Sequence, residues 1–358
     1  MSDPSTPFSQ SRRPLRRACG YLAGFLALSL GAAACGHATH PAALHGSTTS
    51  ALPSATATTS ASSPPVTGAS VPTTTAPAPI SLRVVVVGPL LPQPISREVA
   101  VALGDHLEIL GGRTAAKTST DEVVRWTPGS TSTVEGHLAR RVHDASGVVL
   151  GSQAFVFGGG DLGSVADVQS VNGGTGARVG AMPTGRSDLS AVAMGGTAYM
   201  IGGFDDVNGV LDVLATTDGR TFRTVAHLSG TVRYGAAVAV GSKALVFGGE
   251  SGGRSSDAVL ELDPAHGTIA QVATLPVRLS HATAFVLGGQ TYVAGGETDG
   301  ARVSAIYRYD PATRSFSVAG QLPDTRSDAS AAVLGNTAYV VGGETPGTVA
   351  SVIAITVQ

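Results

Sequence analysis

Residues 331–344 read AAVLGNTAYVVGGE: an apolar run, a tight turn at Gly335, a second apolar run and the glycine pair Gly342-Gly343. The unit recurs along the chain. Its turn glycine falls at Gly104, Gly151, Gly195, Gly241, Gly288 and Gly335. Seven residues after each stands the first glycine of a pair, at Gly111, Gly158, Gly202, Gly248, Gly295 and Gly342. Successive turns are 47, 44, 46, 47 and 47 residues apart. Self-similarity at this period marks a repeat architecture, in which each unit buries its apolar faces only against its neighbours.

Within a unit the pattern resolves into strands. In the fifth copy, 282–287 and 291–294 are apolar runs joined by Gly288-Gly289-Gln290. Residues 305–309 and 315–319 alternate more, with breaks at Asp310-Pro311 and Leu322-Pro323. Four short strands bounded by Gly and Pro predict a four-stranded antiparallel sheet. The inner two strands read as continuous apolar runs, such as 198–201 and 338–341, which is expected of strands buried on both faces. Six such sheets at this spacing predict an all-β fold, a six-bladed β-propeller.

The two ends of the repeat region decide between a closed ring and a linear solenoid. The last unit ends at Gln358, with room after Gly342 for a third strand at 351–357 but none for a fourth. The segment 82–87 has no first three strands of its own. Because 91–105 aligns without a gap onto 322–336, residues 82–87 fall in the fourth-strand slot of the last blade. Pairing the two ends of the chain closes the ring and removes its exposed sheet edges.

The order strand, turn glycine, strand, Gly-Gly, strand and Leu-Pro-x-x-Arg-Ser resembles the kelch repeat. The nearest copies of its last element are Leu322-Pro323-Asp324-Thr325-Arg326-Ser327 and Met182-Pro183-Thr184-Gly185-Arg186-Ser187. The resemblance covers 81–358 and implies a kelch-type propeller. The fourth-strand tryptophan usual in that family is absent, its column holding Val85, Ser132, Gly176, Phe222, Ile269 and Phe316. Trp126, the sole tryptophan, sits near the third strand of the first blade. Residues 217–222, TDGRTF, resemble a single degenerate Asp-box turn of the sialidase-type propellers.

Ahead of the repeats the composition changes. Arg12, Arg13, Arg16 and Arg17 precede an apolar run over 18–34, so residues 1–34 read as an export signal. Residues 32–36, AAACG, resemble the lipobox of bacterial lipoproteins, in which the cysteine, here Cys35, is lipidated and anchors the mature chain to a membrane facing outward; ordinary signal cleavage and secretion is the alternative. Residues 35–80, rich in Ser, Thr, Pro and Ala, predict a disordered tether with a reach of about 35–40 Å. The three domains expected are therefore 1–34, 35–80 and 81–358.

Composition also bounds the function. A net charge of −2 and only two lysines, Lys117 and Lys243, give no basic stripe for nucleic acid. Both cysteines, Cys19 and Cys35, precede the repeats, which leaves the ring without a disulfide, a thiolate metal site or a cysteine nucleophile. Galactose-oxidase chemistry, which the kelch resemblance would otherwise admit, requires a tyrosine–cysteine cross-link and is thereby excluded. Residues 158–163, GGGDLG, fit G-x-G-x-x-G, but a strand-like segment follows where a dinucleotide site requires a helix. No cofactor and no metal are expected.

Topology gathers the remaining chemistry. The segment entering each first strand and the loop leaving each second strand lie at the same end of the sheet, so all twelve converge on one mouth of the channel. At columns shared by several copies stand Arg186, Arg326, Asp188 and Asp328, expected to pair between blades and clamp the ring. Positions that break the repeat are the candidate binding residues: His143, Phe204, Asp205, Asp206, Arg233, Tyr234, Glu250, His281 and Glu297. The expected function is non-catalytic binding of a protein or glycan at this mouth, displayed at the cell envelope. The kelch resemblance supplies the alternative of a sialic acid mutarotase, which needs only acid and base side chains such as His143, His281, Glu250 or Glu297 in a polar pocket.

Overall fold

The computed structural model describes residues 81–88 and 90–358. The predicted signal, Cys35 and the tether lie outside the described residues. Among these, all regular structure is β-strand, arranged as a six-bladed propeller of four-stranded antiparallel blades. In the fifth blade the strands are Thr283–Leu287, Gln290–Ala294, Ala305–Asp310 and Ser315–Gln321, within two residues of the sequence expectation at each end.

The ring closes as the sequence required. Leu82–Val87 pairs antiparallel with Val352–Val357, Leu82 opposite Val357 and Val87 opposite Val352, and supplies the outer strand of the sixth blade. The apolar core repeats this closure. It divides into clusters, each spanning one blade interface, and the cluster of Leu107, Ile109, Trp126, Tyr339, Val341 and Val352 joins the last blade to the first. Second strands feed both sides. Ala338 and Val340 pack toward the fifth blade, while Tyr339 and Val341 pack toward the first. That is why 338–341 is an unbroken apolar run and Thr337–Val341 is buried almost throughout. First strands depart from the expectation of two buried faces. Ser190–Met194 alternates buried and half-buried, because one set of its side chains borders the axial channel, where small residues such as Ala191 and Ala237 are tolerated.

The glycine pairs are scaffold. Gly248 has φ of +62°, and a Cβ there would overlap the carbonyl oxygen of Leu279, the residue entering the next blade. At the seam, Gly342 holds the same relation to Ile95 of the first blade. A side chain at either site is opposed both by backbone conformation and by the neighbouring chain.

Candidate functional site

Seven residues before each turn glycine stands a residue that is not glycine yet has positive φ: Arg97, Asp144, Asp188, Tyr234, His281 and Asp328, with φ between 52° and 58°. They form a circle. Each N–H donates to the carbonyl of its counterpart one blade back: Asp144 to Arg97, Asp188 to Asp144, Tyr234 to Asp188, His281 to Tyr234 and Asp328 to His281, at 2.8–3.1 Å. Arg97 closes it by donating to Asp328 at 2.8 Å. Left-handed backbone at a non-glycine costs about 1–3 kcal/mol per residue and persists only where surroundings enforce it. Here the closed circle of hydrogen bonds is the enforcement, and it turns the six side chains to the axis.

These side chains neutralise one another across blades. Arg97 Nη1 lies 3.1 Å from Asp144 Oδ2, and Arg97 Nε lies 3.4 Å from Asp328 Oδ1. Asp328 also meets His281 Nδ1 at 2.7 Å, and Asp188 meets Arg233 Nη2 at 2.5 Å. Burial raises the Asp144 carboxyl to about 6 in spite of the Arg97 charge. Burial depresses His281, but its hydrogen bond to Asp328 and that group's charge outweigh it, and the imidazole stays protonated above the ordinary histidine range. Beneath the circle the channel opens into a cavity of about 200 Å³ walled by residues such as Ala100, Gly147, Ala237 and Thr283.

Around the circle runs an outer rim. The residue preceding each circle position bridges to the residue following its own blade's glycine pair: His143 with Gly160, Ser187 with Phe204, Arg233 with Glu250, Ser280 with Glu297 and Ser327 with Glu344. The predicted convergence of entry segments and post-glycine loops on one mouth is thus observed. Neighbouring blades are tied at this level by a second set of bonds. Ser164 Oγ meets Ser187 Oγ at 3.1 Å, Ser255 Oγ meets Ser280 Oγ at 2.9 Å, and Arg302 Nε donates to Ser327 Oγ at 3.0 Å.

This frame sorts the candidate residues. His143 meets Ser119 Oγ at 2.9 Å through Nδ1, the same tie that Ser187 and Ser280 make elsewhere. Burial, then the charges of Arg97 and Arg113, push its pKa down. Asp205 Oδ1 accepts from the Val207 and Asn208 amides at 3.0 and 2.6 Å, capping its own turn. Asp206 accepts from the amide and hydroxyl of Ser164 at 2.9–3.0 Å, binding the loop of the third blade to that of the second. Glu297 Oε1 accepts from Ser327 Oγ at 3.0 Å. These four have structural partners.

Phe204, Arg233, Tyr234, Glu250 and His281 are different, and the structure brings them together. Between the third and fourth blades the serine tie is missing: Gly209 stands where Ser164 and Ser255 stand in their blades, and Arg233 replaces the serine. Arg233 instead lies 4.2 Å over the Phe204 ring and 5.2 Å from that of Tyr234. Tyr234 stacks on His281 with ring centroids 3.9 Å apart. His281 Nε2 faces Glu250 Oε1 at 3.5 Å. The result is a contiguous array of cation, aromatic and carboxylate groups on one sector of the mouth.

The expected clamp of Arg186 and Arg326 takes another form. Arg186 donates to the carbonyls of Gly202 and Asp212 in its own blade at 3.1 and 2.9 Å, and its burial lowers its pKa to about 10. Arg326 likewise bonds Gly342 O at 2.9 Å, with Asp324 and Ser351 beside it. These arginines satisfy strand-end carbonyls inside a blade, where amide donors run out. Pairing between blades falls to Asp188 and Asp328, as expected, with Asp144 added. Sequence reading missed Arg97 as a site residue. The constant offset of seven before each turn glycine was the available signal. The Asp-box-like turn is local: Asp218 Oδ1 accepts the amides of Arg220 and Thr221 at 2.8 and 2.9 Å. Among the described residues, no group of three or more His, Cys, Asp or Glu side chains is arranged to hold a metal ion.

Comparison with known proteins bears on the fold. Residues 178–343 match the model of the KLHDC2/KLHL20/DRC7 Kelch-repeats domain. No curated protein gives a match. Among solved structures, that of YjhT is similar over 75% of this chain and 99% of its own, with a TM-score of 0.64 and 18% sequence identity.

Proposed function

We propose that this chain, a kelch-type six-bladed β-propeller, is a non-catalytic binding module that takes a protein or glycan at the loop-bearing mouth of its channel. The observation that carries the reading is the sector of Phe204, Arg233, Tyr234, Glu250 and His281, where the serine tie between blades is replaced by an array of groups suited to recognition. Arginine and aromatic side chains concentrate binding energy when a partner desolvates them. Exchanging Arg233→Glu and His281→Ala tests it. Retention of a ligand recovered from envelope extracts or a glycan array should fall at least about tenfold in each variant, corresponding to about 1.4 kcal/mol. Equal retention by wild type and both variants would remove this sector of the mouth from consideration.

Part of the same proposal is display at the outer face of the cell membrane through lipid on Cys35, with 35–80 as the tether. The support is the AAACG stretch after an apolar run. Mass spectrometry of the mature N-terminus decides it, since an unmodified Cys35 rejects the anchor.

One observation favours a catalytic reading of the same sector. The 2.7 Å contact between Asp328 and His281 Nδ1 leaves Nε2 directed toward Glu250, the arrangement of an oriented acid–base imidazole. Proton transfer on a sugar would then depend on His281 and Glu250. His143 and Glu297 carry less of this reading, because Ser119 and Ser327 engage them. Exchange between sugar anomers, followed by NMR, should be accelerated by the purified chain and abolished in His281→Ala; no acceleration by wild type would reject this reading.

A further inference from the structure

Two neighbouring loops of the mouth carry a feature the repeat does not call for. Leu162, at the tip of the loop after Gly158-Gly159, is 98% exposed, and Val207, at the corresponding tip of the third blade, is 77% exposed. The other four loops place polar or small residues at their tips, at 115–118, 251–254, 298–300 and 345–347. Isolated exposed apolar residues need no explanation. These two are not isolated. Asp206, next to Val207, receives both the amide and the hydroxyl of Ser164, two residues from Leu162. Ser164 Oγ lies within 2.9 Å of Phe204 O as well. On the other side, the Asp205 carboxylate fixes the Val207 turn through two amides. Both tips are therefore held out rigidly before any partner arrives, and little ordering entropy remains to be lost on contact.

The charge around the tips is one-sided. Arg141 pairs with Asp161 at 3.0 Å, and Arg233 pairs with Asp188. Asp206 is held by an amide and a hydroxyl with no cation paired to it, and Asp205, capped by two amides, has only the buried Arg186 to offset it, so net negative charge stands beside the apolar tips. We infer that the loops 160–166 and 204–210 are a docking surface for a segment of another protein with an apolar anchor flanked by basic residues. The anchor covers Leu162 and Val207, and the basic groups face Asp205 and Asp206. The inference rests on the mouth as the binding face and selects protein over glycan as its ligand class.

Fluorescence anisotropy of short synthetic peptides of Leu–Lys, Leu–Glu and Ser–Lys composition, against the purified chain, tests it. The Leu–Lys peptide should bind at least about tenfold tighter than the other two, and the double variant Leu162→Ser, Val207→Ser should lose that margin while keeping its melting temperature. Both side chains are exposed, so the variant leaves the core intact. Equal affinities for the three peptides, or a double variant that binds as wild type, would overturn the docking surface. The Arg233→Glu variant separates the two proposals. Loss of binding in the tip variant with Arg233→Glu unaffected supports the loops and counts against the axial sector. The converse supports the sector and overturns the loops. Saturable binding of a glycan that depends on Leu162 and Val207 would overturn the choice of ligand class.

Discussion

The guanidinium carbon of Arg97, in the first blade, lies 5.6 Å from the ring centroid of Tyr234, in the fourth, on the opposite side of the channel. One side chain therefore spans the axis. On its way it meets Asp144 of the second blade and Asp328 of the sixth, so a single cation joins four of six blades. The mouth is a set of converging side chains braced by one arginine, and its geometry and its stability are the same problem.

Replacing Arg97 by leucine should accordingly be costly. Asp144 and Asp328, with side chains 9% and 3% exposed, would lose their shared cation. Breaking one partner out of a buried pair costs about 3–5 kcal/mol. Asp144 can relieve the loss by taking up a proton, since burial already holds its carboxyl near 6. The destabilisation read from urea unfolding should thus be larger at pH 8 than at pH 5. A penalty independent of pH would mean that Arg97 acts by packing alone.

Glu98 sets a second pH dependence at the seam of the ring. Its Oε1 accepts the Ser330 amide of the sixth blade at 3.2 Å, while Oε2 is buried without a hydrogen-bond partner. Burial raises the carboxyl from 4.5 to about 8. A folded-state value above the unfolded one means the folded state holds the proton more tightly. The stability this contributes is full below about pH 4.5 and is lost as pH rises through about 8, an effect on the order of a few kcal/mol. Glu98→Gln keeps the shape and removes the ionisation. Its melting temperature should match wild type at pH 5 and exceed it at pH 9; a constant difference between the two would refute the assignment.

How much of this was legible in the sequence follows from which constraints select a residue type. A backbone that must pass against the Leu279 carbonyl at positive φ admits only glycine, so Gly248 and its counterparts announced the repeat. The missing fourth strand of the last blade was equally plain from alignment of 91–105 with 322–336. The circle was not legible as chemistry. Its backbone is held by hydrogen bonds from adjacent blades, which relax the demand for glycine and leave six positions filled by Arg, Asp, Tyr and His. Pairings such as Asp188 with Arg233 join residues 45 apart and exist only once the ring is closed. For the same reason Asp205, Asp206 and His143 stood out as departures from the repeat, although the structure employs them as braces.

The two glycine columns should respond differently to the same change. At Gly104, φ is +63° but no atom lies within 4 Å of the place an added methyl would take, so Gly104→Ala carries only the conformational cost, about 1–2 kcal/mol. At Gly248 the added methyl meets the Leu279 backbone, and the fourth and fifth blades must separate to admit it. Gly248→Ala should lower stability by about 3 kcal/mol or more, the range of overpacking added to backbone strain. Equal losses in thermal unfolding would show that the pair is kept for φ alone.

Removal of residues 82–87 should do more damage than either. The strand forms a six-residue ladder with Val352–Val357, and Leu82, Val84, Val85 and Val87 pack against the clusters on the two sides of the sixth blade. Without it the last blade exposes the edge of Val352–Val357, and the residues Val352, Ile353 and Ile355, now fully buried, lose their cover. An exposed apolar edge also pairs with other chains. The shortened chain should therefore melt at a markedly lower temperature and associate in a concentration-dependent way, read by scanning calorimetry and sedimentation velocity. Restoring the segment as a separate peptide should recover part of the stability, because the slot it vacates is specific in register, with Leu82 opposite Val357 and Val87 opposite Val352. A truncated chain that stays monomeric with an unchanged transition would show that the ring is sealed by the interface of the first and sixth blades, through Trp126 and Tyr339, without the terminal strand.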